Sequence, residues 1–292
     1  MSHTTTRPGM IYGIAAFASW GLLPLYWIQL STIPSLEIIA HRVVWSLLFL
    51  TLVVWKKGAL QEVLAALRSP RRVILLALSG FLIALNWLVY VWGVHHGHLV
   101  EASLGYFLSP IITIALGAFI LKEPLSGRRK VAVAIASLGV LFKALDAGVF
   151  PWVGVTLAVS ISLYGFIRKR IPISSLAGLT VETLLLSPLA LGHLYFLSIH
   201  DRSHLFSMGT STTILLVLTG VCTSLPLLWF VRASQLLPLS VLGIVQYLSP
   251  SLQLLVSLFV FMNPLTFNGL LSFCCIWSAI ALYLTGKREI RL

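Results

Sequence analysis

Acidic side chains are scarce in this sequence, which has 8 Asp and Glu residues among 292 against 20 Lys and Arg residues. Charged residues of both signs make up only 10% of the chain, whereas soluble proteins carry about 25%. Hydrophobic residues make up 58%, above the usual ~45–50%. This composition excludes a disordered, collagen-like or ordinary soluble protein and indicates a membrane protein.

Cysteines and enzyme motifs are also few. The three cysteines, Cys222, Cys274 and Cys275, cannot form a disulfide framework, and we interpret them as small buried hydrophobic residues of apolar segments. The sequence has no Gly-Lys-Ser/Thr phosphate loop, no Gly-x-Ser-x-Gly elbow and no zinc-ligand spacing. The sequence therefore predicts no enzymatic activity and no cofactor, and it excludes ATP-driven transport by this chain alone.

A cluster of histidines is the one candidate metal site. His95, His96 and His98 stand together, but Glu101 is the only carboxylate near them and no cysteine is close. We interpret the cluster as a solvated turn at the membrane surface, so no metal site is predicted.

Long apolar runs recur along the whole chain. Crossing a hydrocarbon layer of about 30 Å takes about 20 apolar residues in a helix. Runs of about this length occur near 9–29, 36–55, 73–94, 100–121, 131–145, 149–167, 175–197, 211–231, 239–261 and 267–286. They lack the alternation of a membrane β-barrel strand. The sequence therefore predicts an all-α polytopic membrane protein with ten transmembrane helices.

The basic residues orient these helices. Short cytoplasmic loops are enriched in Lys and Arg. With the N-terminus placed in the cytoplasm, 17 of the 20 basic residues fall inside, Lys143 and Arg202 fall outside, and Arg42 lies within a helix. Trp27, Trp55 and Trp152 fall near helix ends, as an aromatic belt at the interface would have them. We therefore expect cytoplasmic N- and C-termini.

The two halves of the chain resemble each other at a constant offset. One shift superposes Leu108-Ser-Pro110 on Leu248-Ser-Pro250 and, without a gap, Pro124-Leu125 on Pro264-Leu265. It divides the chain into one five-helix repeat at 1–147 and a second at 148–292. Because five is odd, the second repeat must enter the membrane in the opposite sense, as the inverted repeats of secondary transporters do.

Several motifs carry a resemblance to a known family. Residues 101–110, Glu-Ala-Ser-Leu-Gly-Tyr-Phe-Leu-Ser-Pro, followed by Leu121-Lys-Glu-Pro124, resemble the fourth helix of the EamA family in the drug/metabolite transporter superfamily. The chain is similar, more narrowly, to the RarD-type permeases at His41-Arg42, Asn86-Trp87, Tyr164-Gly165, Glu182-Thr183 and Pro226-Leu227. The resemblance implies ten helices in two inverted halves and transport of small metabolites across a bacterial inner membrane. Asn263-Pro264 departs from the Glu-Pro pair that often stands there.

Two charged residues lie inside predicted helices. Because charge in the hydrocarbon is unfavourable, such residues usually face a cavity or a partner. Arg42 and Glu182 are counterparts in the repeat, because the shift that superposes the two Leu-Ser-Pro motifs also superposes them. We predict that both line a central cavity and contact polar parts of the cargo; the alternative is that each is neutralised locally and fixes helix packing. Glu182 could also carry a coupling proton.

Aromatic and amide side chains complete the predicted site. Asn86, Trp87 and Tyr90 share a stretch of one helix, and Trp229 occupies the matching part of its counterpart. Tyr106, Tyr164 and Gln246 are further substrate-binding candidates. A cavity wall of aromatic side chains with a few polar groups suits an amino acid, another metabolite or an amphipathic drug. A cationic solute could also make cation–π contacts there. The alternative is that these aromatics only pack the core.

Two prolines occupy equivalent positions within predicted helices. Pro110 and Pro250 each leave the carbonyl four residues back without its helical hydrogen bond. Together with Gly105 and Gly243, they predict hinges that gate the two sides in turn. A permanent rigid kink is the alternative.

The function predicted from these features is secondary transport of a small organic solute by alternating access, with proton coupling as an option. A lipid flippase or a membrane enzyme with a groove open to the bilayer is the alternative, and a channel is disfavoured because no continuous polar stripe is present. The expected partners are the solute and membrane lipid, without nucleic acid, and the protein is expected as a monomer or homodimer.

Overall fold

The computed structural model describes residues 3–96, 98–145, 151–262 and 267–285, and those residues contain helices and no strands. The first half contains α1 (His3–Leu22), α2 (Pro24–Trp27), a 3₁₀ turn (Ile28–Leu30), α3 (Ser35–Lys56), α4 (Leu60–Leu67), α5 (Pro70–His95), α6 (Leu99–Ala115), a π turn (Leu116–Ile120) and α7 (Gly127–Leu145). The second half contains α8 (Trp152–Arg170), α9 (Ser175–Ile199), α10 (Thr210–Leu236), α11 (Leu239–Gln246), α12 (Leu248–Phe259) and α13 (Phe267–Thr285).

Each predicted apolar run coincides with helical structure. In the part of the chain that the structure describes, six segments are long and apolar enough to cross a membrane: Thr6–Leu30, Ser35–Lys56, Pro70–Gly93, Ser175–Ile199, Thr210–Leu236 and Leu239–Phe259. Leu104–Ile120 and Phe267–Tyr283 are shorter apolar helices. The all-helical membrane class is thereby confirmed, while the number ten stays a prediction.

The helices of the two halves begin in the same register. Four pairs of helix starts are separated by the same offset as the sequence motifs: Ser35 and Ser175, Pro70 and Thr210, Leu99 and Leu239, Gly127 and Phe267. These pairs make α9, α10, α11 and α13 the counterparts of α3, α5, α6 and α7, and leave α8 as the counterpart of α1. The spacing found in the sequence motifs is therefore also the spacing of the helices.

The packing of the helices follows the same correspondence. Helix α1 packs on α10 as α8 packs on α5, and α3 packs on α10 as α9 packs on α5. Three helices pack directly on their own counterparts, namely α3 on α9, α6 on α11 and α7 on α13. Exchanging the two halves therefore leaves this set of neighbours unchanged.

Two of these counterpart pairs run antiparallel. Arg129, near the start of α7, lies 5.0 Å from the ring centre of Tyr283, near the end of α13. A Cβ at Gly139, further along α7, would lie 3.0 Å from the Cβ of Cys275, back toward the start of α13. In the other pair, Gln246 at the end of α11 donates to Ser109 in α6, whereas Leu239 at its start lies against the later Gly117.

Two predictions about individual residues are wrong. Cys274 is exposed rather than buried, and Cys222 and Cys275 are half-buried. Arg168, which the sequence placed in a cytoplasmic loop, lies in the last turn of α8 with its side chain fully buried. Asn263 and Pro264 lie outside the described residues.

Candidate substrate-binding cavity

A cavity lies between helices of both halves, bounded by α1, α2, α3, α5, α6, α8, α10, α11 and α12. It offers about 130 Å³ to the centres of water molecules. One water needs roughly 10–15 Å³ by this measure, so the cavity has room for about ten waters or one small organic solute. Eight of the residues singled out from the sequence line it: Arg42, Asn86, Trp87, Tyr90, Gly105, Tyr106, Gln246 and Pro250.

The cavity is displaced toward one end of the bundle. Arg42 lies in the first half of α3, and Tyr90 lies near the end of α5. Gly105 and Leu157 lie near the starts of α6 and α8. These starts and the end of α5 lie at the same end, so the cavity occupies that half of the bundle.

Arg42 is held in place by side chains of three helices, α2, α5 and α10. Its Nε–H donates a hydrogen bond of 2.9 Å to Thr223 Oγ1 in α10. Its guanidinium carbon lies 4.4 Å from the ring centre of Trp87 and 4.9 Å from that of Trp27. Both distances are within the range of cation–π attraction. The planar guanidinium is therefore oriented in advance by two indole rings and one hydroxyl.

The neighbouring wall combines an amide and two phenols. Asn86 Nδ2 donates to the Leu157 carbonyl and to Ser160 Oγ, both at 2.9 Å, which ties α5 to α8. The rings of Tyr90 and Tyr106 meet edge to face with their centres 6.1 Å apart. This geometry is favourable for aromatic pairs. Tyr90 and Tyr106 thus form one aromatic surface built from α5 and α6.

Gln246 belongs to a buried polar network at the opposite wall. Its Nε2 donates to Ser109 Oγ at 3.0 Å, and Thr113 Oγ1 lies 3.3 Å from its Oε1. Ser162 Oγ donates to the Ser109 carbonyl at 3.0 Å. The network joins α6, α8 and α11, so Gln246 lines the cavity and at the same time connects the two halves.

Glu182 and Tyr164 lie outside this cavity, contrary to what the sequence predicted for their position. The Arg168 Nε lies 3.3 Å from Glu182 Oε1, and the Tyr164 hydroxyl donates to Oε2 at 3.2 Å. Ser79 Oγ also donates to Glu182. A Cβ at Gly178 would overlap the Arg168 guanidinium, so the missing side chain makes room for it. Local neutralisation, the alternative considered from the sequence, describes this geometry.

Glu182 does border a second, smaller space. This space has room for about one water by the measure used above, and it shares Trp87 and Thr223 with the main cavity. Trp229 is half-buried and packs against the aromatic core around Phe17 and Phe230 rather than lining the cavity. The structure therefore separates Arg42 from Glu182 and Trp229.

The four predicted hinge residues have unequal surroundings. Helix α6 continues through Pro110, whereas the equivalent stretch is interrupted at Tyr247, between α11 and α12, so Pro250 stands in the first turn of α12. A Cβ at Gly105 would lie 2.9 Å from the Gly154 carbonyl oxygen, and one at Gly243 would lie 2.7 Å from that of Pro110. Both glycines therefore permit close helix crossings.

Aromatic and charged side chains pack together at the opposite end of the bundle. Phe230 lies edge to face with Phe17 and stacks on Tyr164, with ring centres 5.8 and 6.0 Å apart. Beyond these rings stand the Arg168–Glu182 pair and Lys169, whose Nζ donates to the Ser234 carbonyl at 2.8 Å. An aromatic layer and one buried ion pair therefore pack this half of the bundle.

Sequence reasoning missed several residues of the cavity. Trp27 was assigned to an interfacial belt, but its ring stacks on Arg42. Ser109, Thr223 and Gln253 also line the cavity. Each is a polar residue within an apolar run. The same signal identified Arg42 and Asn86 from the sequence, so it could also have identified these three residues.

Comparison with known proteins places the chain in a family. A model of the EamA-like transporter family matches residues 7–144. An uncharacterized transporter of Bacillus subtilis, YojE, is 42% identical over 291 residues, covering 97% of this chain and 95% of YojE. Protein RarD of Escherichia coli is 33% identical over 283 residues, covering 97% and 96%. The chain belongs to the EamA-like transporter family. Its relatives named RarD confirm the narrower resemblance.

Membership fixes the class of the protein but not its cargo. The EamA-like chain is a multi-pass bacterial membrane transporter, and the names of its relatives indicate transporters rather than enzymes. A solved crystal structure shares its fold with a TM-score of 0.74 over 98% of this chain and 100% of the other. At 18% identity that likeness concerns the fold alone.

Proposed function

We propose that this EamA-like protein is a secondary transporter that moves a small organic solute across the bacterial inner membrane by alternating access. The observation that carries the proposal is the solute-sized cavity between counterpart helices of the two halves. Because nine helices line the cavity, the arrangement supports a binding site between helices over a groove open to lipid. The predicted substrate-binding residues Arg42, Asn86, Trp87, Tyr90, Tyr106 and Gln246 would contact the solute there.

An inverted repeat of 1–147 and 148–292 is part of the proposal. Helix starts at a constant offset, the exchange-symmetric packing and the antiparallel counterpart pairs support it. In such an architecture the two halves can exchange conformations, which opens the shared site to the other side. The excess of basic residues in one set of loops supports cytoplasmic termini.

With that orientation, the position of the cavity supports an outward-facing state. The cavity occupies the half that contains the starts of α3, α6 and α8, which is then the periplasmic half. The aromatic layer and the Arg168–Glu182 pair form the closed cytoplasmic gate. Moving to the inward-facing state would separate Arg168 from Glu182, and a proton taken up by Glu182 would favour this separation. Full pH dependence of transport by a Glu182→Gln protein would contradict this coupling.

The gating residues would act at the helix crossings. Bending of α6 at Pro110 and relative motion of α11 and α12 at Tyr247 and Pro250 would move the cavity walls. Gly105 and Gly243 would allow the sliding that this motion requires, because their helices touch backbone to backbone.

Uptake into liposomes that contain only this protein tests the function. We expect a panel of amino acids, other metabolites and drugs, assayed with and without a proton gradient, to yield at least one solute that accumulates or exchanges. Ile161→Trp would fill the cavity and abolish this uptake, whereas Leu189→Trp on the outer surface, where Leu189 is 77% exposed, would leave it unchanged. Equal uptake by both variants would contradict transport through the cavity.

A further inference from the structure

The charge of the cavity is one-sided. Among the described residues that line it, Arg42 is the only one with a formal charge, and none is acidic. The structure describes the side chains of five carboxylates, and four of them contact other partners: Glu37 binds His204, Glu62 binds Ser174, Glu123 accepts from Leu239 and Ser240, and Glu182 pairs with Arg168. The fifth, Asp201, is exposed in a loop. None of these five carboxylates therefore neutralises Arg42.

The guanidinium retains hydrogen-bonding capacity. An arginine carries five N–H donors in a planar fork. At Arg42 the Nε–H is used by Thr223, and no other hydrogen bond links this guanidinium to a described residue. Its carbon lies over the rings of Trp27 and Trp87, which use none of its remaining N–H groups. A carboxylate binds such an edge through two parallel N–H···O bonds.

Part of the cavity is suited to an apolar body. The edge-to-face rings of Tyr90 and Tyr106 and the side chains of Leu157, Ile161 and Leu227 form an apolar section of its wall. The volume, equal to about ten waters, limits the cargo to about ten to twelve non-hydrogen atoms. An aromatic ring with a short acidic chain has this size.

We propose that the cavity selects small organic anions, with the carboxylate of the cargo on the Arg42 guanidinium and an apolar or aromatic body against Tyr90 and Tyr106, and that it excludes organic cations. The inference rests on the proposed function, because it concerns the cargo of the same cavity. It replaces the open choice between amino acids, metabolites and cationic drugs with a rule based on the sign of the charge.

Three probes of one shape test the rule: 3-phenylpropanoate, 3-phenylpropanol and 3-phenylpropylamine. Binding to the purified protein is followed by the fluorescence of its tryptophans, two of which contact Arg42. We expect the anion to bind at least about 10-fold more tightly than the alcohol, and the amine to bind most weakly. An amine that binds as tightly as the anion, or three probes without any order, would overturn the proposal.

Variants assign the preference to Arg42. Arg42→Gln is expected to remove the preference for the anion, and Arg42→Lys is expected to keep its sign but weaken it, since lysine lacks the planar fork. Arg129→Gln is the matched control, because Arg129 also lies over an aromatic ring, that of Tyr283, but does not line the cavity. If Arg42→Gln does not fold, the lysine variant and the order of the probes decide.

The binding assay and the transport assay together distinguish the transport proposal from the proposal of anion selectivity. If 3-phenylpropanoate binds in the expected order but no solute of the panel crosses the liposome membrane, the transport proposal fails and the charge rule stands. If solutes cross but cations and anions do so equally well, with or without Arg42, the charge rule fails and transport stands.

Discussion

At the scale of single residues, Arg168 and Glu182 form an ion pair that is buried away from water. The two side chains are 0% and 1% exposed and join α8 to α9. Attraction within such a pair offsets the loss of hydration, and removing one partner leaves the other charge uncompensated. Replacing both residues is therefore expected to destabilise the protein less than replacing only one of them.

We predict that Glu182→Gln lowers the free energy of unfolding by about 3 kcal/mol, because the Arg168 guanidinium is left buried without its counter-charge. Replacing both residues, as Arg168→Met with Glu182→Leu, should recover most of this loss. Denaturant unfolding of the purified proteins in one detergent measures both differences. A single variant as stable as the parent, or a double variant less stable than the single one, would contradict this interpretation.

Two glycines of α9 provide a second comparison at this scale. A Cβ at Gly178 would overlap the Arg168 guanidinium, whereas one at Gly192 would meet no atom within 4 Å. We predict that Gly178→Ala destabilises the protein, while Gly192→Ala is neutral or stabilises it by up to about 1 kcal/mol, the usual gain of alanine over glycine in a helix. The same unfolding assay measures the stability of both variants. A loss of stability in the Gly192 variant alone would contradict the prediction.

At the scale of helices, the two prolines are related by sequence but not by local structure. Pro110 interrupts the hydrogen bonding of a helix that continues past it, whereas Pro250 follows a break that is already present at Tyr247. Replacing Pro110 therefore restores a hydrogen bond to the Tyr106 carbonyl, which is not the expected effect at Pro250.

We predict that Pro110→Ala slows transport several-fold while insertion and folding stay normal, because α6 loses its flexible point beside the cavity. Pro250→Ala should have the smaller effect, since the break at Tyr247 remains. Initial uptake rates in liposomes, normalised to inserted protein, measure the difference. Normal rates for the Pro110 variant would exclude a hinge in α6.

Sequence patterns predicted the long helices well because an apolar run of bilayer length has few other structures open to it. The short helix α4 was missed, since its eight residues are too few for such a run and its two buried residues, Val63 and Ala66, depend on packing in the tertiary fold. The break at Tyr247 was missed for a similar reason, because no glycine or proline stands at the break itself.

The site was predictable to the extent that polarity inside an apolar run is rare. That rule identified Arg42, Asn86 and Gln246, and the structure brings them to one cavity. It failed at Arg168, where a cation near the end of a run was counted with the loop, because its pairing with Glu182 is a tertiary contact. The cavity role of Trp27 was also missed, because a tryptophan near a helix end fits an interfacial belt equally well.

At the scale of the whole molecule, the proposed alternating access requires two halves that run in opposite directions around one cavity. Gln253 lines the cavity, while Thr113, its counterpart in the first repeat, is buried and hydrogen-bonds to Gln246. If the halves exchange conformations, Thr113 takes the place of Gln253 in a cavity that opens to the opposite side of the membrane.

Labelling of single cysteines at these two positions tests the central claim most directly. In a protein whose three cysteines are replaced by alanine, Gln253→Cys and Thr113→Cys are exposed to a membrane-impermeant thiol reagent from each side of oriented vesicles. We predict that Gln253→Cys reacts from the periplasmic side and Thr113→Cys from the cytoplasmic side, with rates that shift in opposite directions when a transported solute is added. Reaction of both positions from the same side would contradict the account.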